Sequence, residues 1–463
     1  MFVLFLDAHH KFVISGVDLS NMLPLLLLFL PLAYGTESPL CAECDCQLGY
    51  GNLYSVNCTS DVTNLFEGWY WIDPNDKTYP FKVVTIENSR LDRLDKQFPR
   101  SSMESLSLLN CHITYISEST FGKLAYLEKL ILSHNRIENL HPKAFAGVYS
   151  NRQYRFLPLK RLYLDHNSIT SLDREVFKYS RDIEILSLAH NPLQAFTMQT
   201  AKAINSLDSL KKLDLSYTQL STLPSRFRPS ATLRYLDLGG NRFQEVPTEL
   251  RALSKLRILH FSNNPIVRLT KESGFPNVTT LKILHMCNMS RLLEIGAGSL
   301  SELINLEQLY LSDNEELTVI HKDAFLKVDG YQESWPPVIE LFLQNNKLSS
   351  LDMELLDWDV LEEIDLRHNS WRCECQYRWM TEDLFPNVIL KSGGDQFKTL
   401  RCTNLDSTWF DVYKDKAMEG KCWTIHKNVL NLVYGKWGRF WWVINAVLAL
   451  LVIKITHVYF YKK

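Results

Sequence analysis

Apolar residues return along most of this chain at one fixed set of intervals: a first, a fourth, a sixth and an eleventh position, with Asn or Cys at the ninth. Leu127, Leu130, Leu132 and Ile137 around Asn135 make one clear copy, and Leu159, Leu162, Leu164 and Ile169 around Asn167 make another. Ile183 to Leu193, Leu233 to Phe243, Leu256 to Ile266 and Leu361 to Trp371 repeat the pattern. Twelve copies close at or near residues 91, 113, 137, 169, 193, 220, 243, 266, 291, 316, 348 and 371. A period of this size predicts stacked repeats rather than a single folded core. The alternation of the fourth and sixth positions predicts a short strand in each copy, with successive strands side by side in one parallel sheet. No copy can bury its apolar face alone, so each completes the core of its neighbours. The ninth position turns the chain off the strand, and an Asn there can hydrogen-bond backbone that would otherwise be buried unpaired.

The departures from the pattern carry their own expectations. Cys111, Thr218 and Met289 stand where the ladder Asn belongs, and Cys111 is expected as a small buried member of that ladder. The ninth and tenth copies carry one extra residue before Leu292 and Leu317, which predicts a local bulge of the turn. Two copies are lengthened by the insertions 148–157 and 328–338, expected on the outer side or rim. Tyr331 and Trp335 in the second insertion are candidate contacts, with packing against the repeats the favoured fate.

Composition narrows the setting. Apolar residues make up 46% of 463 residues and the formal net charge is −2, so no basic excess points to nucleic acid. The apolar run from Met22 to Tyr34 is too short to span a bilayer and predicts a secretory signal peptide over 1–35, cut near Gly35. Translation from Met22 instead of Met1 would explain the odd stretch before it. Of the ten cysteines, Cys41, Cys44, Cys46 and Cys58 cluster at the start and Cys373, Cys375, Cys402 and Cys422 near the end. In an oxidising compartment these read as disulfides rather than zinc ligands. Sequons at Asn57, Asn277 and Asn288 predict glycosylation of exposed positions.

The two cysteine clusters flank the repeats as caps would. Cys41, Cys44, Cys46 and Cys58 resemble the N-terminal cap, and Trp371, Cys373, Cys375, Trp379, Cys402 and Cys422 the C-terminal cap, of extracellular leucine-rich-repeat proteins of the single-pass adhesion and co-receptor type. The resemblance implies an α/β solenoid, a horseshoe with a parallel concave sheet. It also implies the pairs Cys373–Cys402 and Cys375–Cys422, and by similar logic Cys41–Cys46 and Cys44–Cys58. The expected organisation is an N-terminal cap and insertion over 41–80, about twelve repeats over 81–371, a C-terminal cap over 369–422 and a juxtamembrane stalk over 423–439. The segment 59–80, rich in Trp and Tyr, departs from the family pattern.

Residues 440–461 are expected to form a transmembrane helix of about 33 Å. Trp437, Trp441 and Trp442 at one end and Tyr459 and Tyr461 at the other resemble interfacial belts. Lys454 interrupts the run and is expected to snorkel, or to pair with an acid in a partner's helix. Lys462 and Lys463 form the cytoplasmic end, giving a type I plasma-membrane topology with no signalling domain.

No catalytic signature stands out, and neither a cofactor nor a metal is assigned. The chain is therefore expected to be a non-enzymatic cell-surface recognition protein that binds an extracellular protein ligand or a neighbouring receptor. An auxiliary subunit acting through the membrane helix is the alternative. Solenoids of this kind bind on the concave sheet, whose exposed positions include Tyr163, Asp165, Tyr217, Tyr235, His260, Tyr310 and Phe342, the candidate binding residues. His134, His166 and His190 occupy the eighth position of consecutive copies, where a metal site or a pH sensor is one reading and a common family residue the favoured one. Cys287 falls at a concave position, which raises a disulfide-linked homodimer; burial in the irregular ninth copy is the favoured reading.

Overall fold

The computed structural model describes residues 38–372 without 60, 63, 194 and 195, together with 378–385, 400–403 and 409–411. The signal peptide, Cys373, Cys375, Cys422, the stalk, Lys454 and the membrane helix 440–461 lie outside the described residues. Within them no helix is long and apolar enough to cross a membrane.

The repeats stack as their period requires. One sheet of 14 strands runs through the molecule in chain order. It begins with β1 (Asp45–Leu48), antiparallel to β2 (Tyr54–Cys58). From β2 onward every pairing is parallel, through β3 (Phe81–Glu87) to the last strand, Glu363–Asp365. Each repeat meets the next residue for residue: Leu130 faces Leu162, Leu162 faces Leu186 and Leu213 faces Leu236. All of these Leu side chains are fully buried, so a slip of one residue would turn a whole leucine layer outward.

Behind the leucine layer runs a column of aromatic rings. Phe98, Phe121, Phe145 and Phe177 stack with centroids 5.7, 6.4 and 6.1 Å apart. The segment 59–80, which has no repeat period, closes the near end of this column. Its Trp71 is fully buried, lies edge-on to Phe98 at 6.3 Å and to Phe81 at 5.9 Å, and donates from Nε1 to the Leu65 carbonyl at 2.7 Å. The segment is thus part of the cap, covering apolar surface that an open end would expose.

The ninth-position ladder forms where Asn is present. Asn135 Oδ1 accepts from Cys111 N at 2.8 Å and Ile113 N at 3.1 Å, while its Nδ2 donates back to the Leu108 carbonyl at 2.8 Å. Asn167, Asn191, Asn241 and Asn369 do the same for the repeat before each. Where Asn is missing the substitutes differ. Cys111 is buried, its thiol 3.2 Å from the Leu109 carbonyl, and burial pushes that thiol up to about 11. Thr218 donates to its own strand's Leu215 carbonyl at 2.6 Å, and Met289 offers its sulfur to Asn264 N at 3.4 Å. The extra residue in repeats nine and ten is absorbed by a turn, with Leu292 N donating to the Met289 carbonyl and Leu317 N to Asn314. The strands themselves stay in register.

Both insertions fold as antiparallel hairpins, Tyr149–Ser150 with Gln153–Tyr154 and Lys327–Asp329 with Gln332–Ser334. Their tips need left-handed backbone, supplied by Asn151, Arg152 and Gly330. Tyr331 at the second tip is fully exposed, so the expected packing fails there: a hairpin tip has nothing beneath it. Trp335 is partly covered and donates from Nε1 to the Glu354 carbonyl at 3.1 Å.

The N-terminal disulfides are Cys41–Cys46 and Cys44–Cys58, with Cα atoms 5.4 and 4.5 Å apart. Cys402 is disulfide-bonded, and the cysteines expected to pair across the C-terminal cap are otherwise outside the described residues.

Candidate functional site

Parallel pairing in strict register places the same position of every repeat in a column across the concave sheet, one strand spacing apart. Flat side chains in such a column must stack, and two rows of rings result.

The first row is made by the eighth position. Twelve consecutive repeats hold this residue at positive φ, from Asn88 and Asn110 to Asn345 and His368. The left-handed region suits Gly, Asn and Asp, tolerates His and disfavours large side chains. Four consecutive repeats nevertheless place rings here. His134, His166, His190 and Tyr217 stack at 4.1, 4.1 and 4.4 Å with their planes within 12° of parallel. The row stops at Gly240, also at positive φ, where a Cβ would run into the Tyr217 ring. Asp165 lies beside the row: Ser133 Oγ donates to its Oδ1 at 2.9 Å. Nitrogens of His134 and His166 and a carboxylate oxygen of Asp165 all fall within 4.8 Å of one another. His166 is held below the usual imidazole range by burial, with His190 and His134 adding to the effect.

The second row crosses the middle of the sheet. Tyr235, at the third position, leans over His260 at 5.1 Å. His260, His285, Tyr310 and Phe342, all at the fifth position, then stack at 4.0, 4.2 and 4.7 Å. Burial pushes His285 down to about 4, with His260 adding to it, and pushes Tyr310 up to about 12. Two acids are tied to this row. Tyr310 Oη donates to Glu340 at 3.1 Å and Tyr235 Oη to Asp237 at 3.3 Å. Burial, and then Asp214, raises the Asp237 carboxyl to about 6 against the hydrogen bond from Gly239 N.

Charge is graded along the third position. Lys129, Arg161 and Lys212 stand in the N-terminal half, Lys212 Nζ lying 4.1 Å over the Tyr235 ring. Ile258 and Ile283 follow in the middle, and Glu340 and Glu363 at the far end. Along the third position the sheet therefore runs from basic residues through an apolar, ring-lined centre to acidic ones.

Of the residues singled out by sequence, Tyr235, His260, Tyr310 and Phe342 come together in the second row and Tyr217 joins the first. Tyr163 is half-buried, with Lys129 Nζ 5.8 Å from its ring, and Asp165 sits next to the histidines. His285 belongs at the centre of the second row but was not among the candidates. Reading the fifth position down consecutive repeats as His, His, Tyr, Phe is the signal that finds it. Cys287 is a half-buried free thiol that accepts from Ser312 Oγ at 3.3 Å. Asn57, Asn277 and Asn288 are all exposed.

The leucine rich repeat family matches this chain over residues 101–150 and 158–210, and again over 232–253. Lumican of Coturnix japonica is 29% identical over 289 residues, covering 55% of this chain and 75% of its own. Tsukushi of Gallus gallus is 25% identical over 354 residues, 74% of this chain and 82% of its own. Lumican of Oryctolagus cuniculus is 31% identical over 163 residues, 32% of this chain and 82% of its own. Among solved structures, the leucine-rich repeat domain of APL1 covers 68% of this chain and 89% of its own at 21% identity, with a TM-score of 0.40. With its repeats, its N-terminal disulfides and a lumican matched over most of that protein's length, this chain belongs to the leucine-rich-repeat family.

Proposed function

We propose that this chain is an extracellular recognition protein that holds a protein ligand across the middle of its concave sheet. The observation that carries this reading is the second ring row, Tyr235 to Phe342, on a sheet whose third position runs from basic to acidic residues. Its rings spend their faces on one another, so a partner meets ring edges, hydroxyls and the isoleucines between them. That mixture suits a peptide surface carrying both apolar and polar groups, and graded charge would fix the direction in which it docks. The N-terminal disulfides suit an oxidising compartment, and the relatives share the repeat architecture.

The finer reading is a cell-surface adhesion molecule or co-receptor, held by residues 440–461. A glycan on Asn288, at the eighth position of the ninth repeat, would screen that edge of the sheet and steer the ligand toward Tyr235, His260 and Tyr310. Proximity labelling on intact cells would name the ligand, and its affinity for the full chain would then be compared with that of the Tyr235→Ala/Tyr310→Ala variant. Central aromatic residues of an interface are worth about 2 kcal/mol or more, roughly a thirtyfold loss. Unchanged affinity would remove this surface from the account. Exchanging 440–461 for a lipid anchor should leave ligand binding intact, whereas a role as an auxiliary subunit acting through Lys454 would be lost.

A further inference from the structure

The ligand-binding reading makes no use of the first ring row. From the geometry of that row we infer that His134, His166 and Asp165 bind one divalent transition-metal ion, with zinc as the reference ion.

Three features support the site. The first is the donor set. Two imidazoles and one carboxylate are hard-to-borderline nitrogen and oxygen ligands of the kind zinc takes at about 2.0–2.2 Å, and they leave a fourth position open. The second is placement. Ligand atoms from all three side chains lie within 4.8 Å of one another, on backbone fixed by the sheet register and by the bond from His134 N to the Asp165 carbonyl at 3.1 Å. A shared ion needs the atoms closer still, and stacked rings point their lone pairs in parallel, so the two imidazoles must turn about their side-chain bonds until their nitrogens converge. Both rings are exposed, so solvent rather than core receives that movement. The third is support behind the ligands. Ser133 Oγ, 2.9 Å from Asp165 Oδ1, aims the carboxylate and leaves Oδ2 free for the ion, as hydrogen bonds from behind a ligand do in metal sites.

His190, next in the stack at 4.1 Å from His166, can supply a further nitrogen if the row opens. Water or a donor atom of a docked protein would complete the fourth position.

The test uses the full chain without an added histidine tag, titrated with Zn2+ alone by isothermal titration calorimetry. One ion should bind per chain with a Kd on the order of 1 µM. His134→Gln and His166→Gln should each weaken binding by at least about tenfold, and Ser133→Ala by about tenfold through the carboxylate it orients. Co2+ in place of Zn2+ should give a visible absorption band that Asp165→Asn abolishes. The His260→Gln/His285→Gln variant, altered in the other row, should bind as wild type does. His134→Asn, which suits the left-handed backbone at that position, should weaken binding as His134→Gln does while its metal-free melting temperature matches wild type, which separates lost ligation from misfolding. Absence of saturation up to about 1 mM Zn2+, or equal affinity in the His134→Gln/His166→Gln double variant, would overturn the site.

Discussion

Asn191 offers the sharpest test of how the solenoid is held. It is 1% exposed, accepts from Ile169 N at 2.9 Å and donates to the carbonyls of Leu164 at 2.9 Å and Leu188 at 3.0 Å. Asn191→Leu keeps the branched outline, with bulkier methyl groups, and removes every one of these bonds. Leu164 retains a bond from Asn167 Nδ2 at 3.0 Å, so the loss falls on Ile169 N and the Leu188 carbonyl, both left buried without their ladder partner. At about 1–3 kcal/mol for each orphaned group, the variant should lose about 4 kcal/mol. The natural contrast is Thr218, whose hydroxyl meets its own strand's Leu215 carbonyl and Asn241 Oδ1 of the next repeat but sends no bond back to the repeat before it, so Thr218→Asn should gain about 1 kcal/mol by restoring the ladder. Urea unfolding of the full chain, followed by circular dichroism and tryptophan fluorescence together, measures both, because repeat arrays can unfold in parts. Native-state hydrogen exchange of the Ile169 amide supplies a local readout. A loss under about 1 kcal/mol in Asn191→Leu with Ile169 still protected would refute the ladder as a source of stability.

Two titrating groups in the second ring row pull stability in opposite directions with pH. Asp237 sits at about 6 when folded against an ordinary 3.8, so its buried charge costs stability above pH 6 and the cost disappears as pH falls toward 4. Asp237→Asn should therefore stabilise the chain by up to about 3 kcal/mol at pH 7.5 and by little at pH 4. His285 is lowered from 6.5 to about 4, so the unfolded chain protonates first; its effect is absent above pH 6.5 and unfavourable as pH drops toward 4. His285→Gln should then lose less stability than wild type on acidification, by about 3 kcal/mol at pH 4, as thermal melts across pH 4–8 would show. Trp71→Ala removes the ring that closes the aromatic column and should cost about 3–5 kcal/mol, read as an earlier urea midpoint with the cap disulfides intact.

Much of this architecture is legible in the sequence because the repeat states it twelve times. Leu130, Leu162 and Leu186 could only be stacked strand residues, and Asn135 or Asn241 only ladder residues, since the same spacing recurs around each. The segment 59–80 was not legible: it has no period, and Trp71 finds its place only once Phe81 and Phe98 are stacked. The hairpin at 327–334 could have been read from Asp329-Gly330, a turn pair between short runs, whereas Asn151-Arg152 gives no such signal. For the candidate site, composition marks the rings but not their grouping. Register alone separates Tyr217, at the eighth position with the histidines, from Tyr235, at the third position beside His260. The approach of Asp165 to His134 and His166 depends on side-chain directions that no spacing encodes.

Photo-crosslinking on intact cells reads out whether a protein partner docks on the ring-lined middle of the concave sheet. A photoreactive amino acid in place of Phe342, stacked 4.7 Å from Tyr310, would be compared with the same residue in place of Tyr331, fully exposed at a hairpin tip. A discrete adduct of the full chain is expected from the concave position and none from the hairpin. Adducts from the hairpin alone, or equally from both, would contradict docking on the concave sheet.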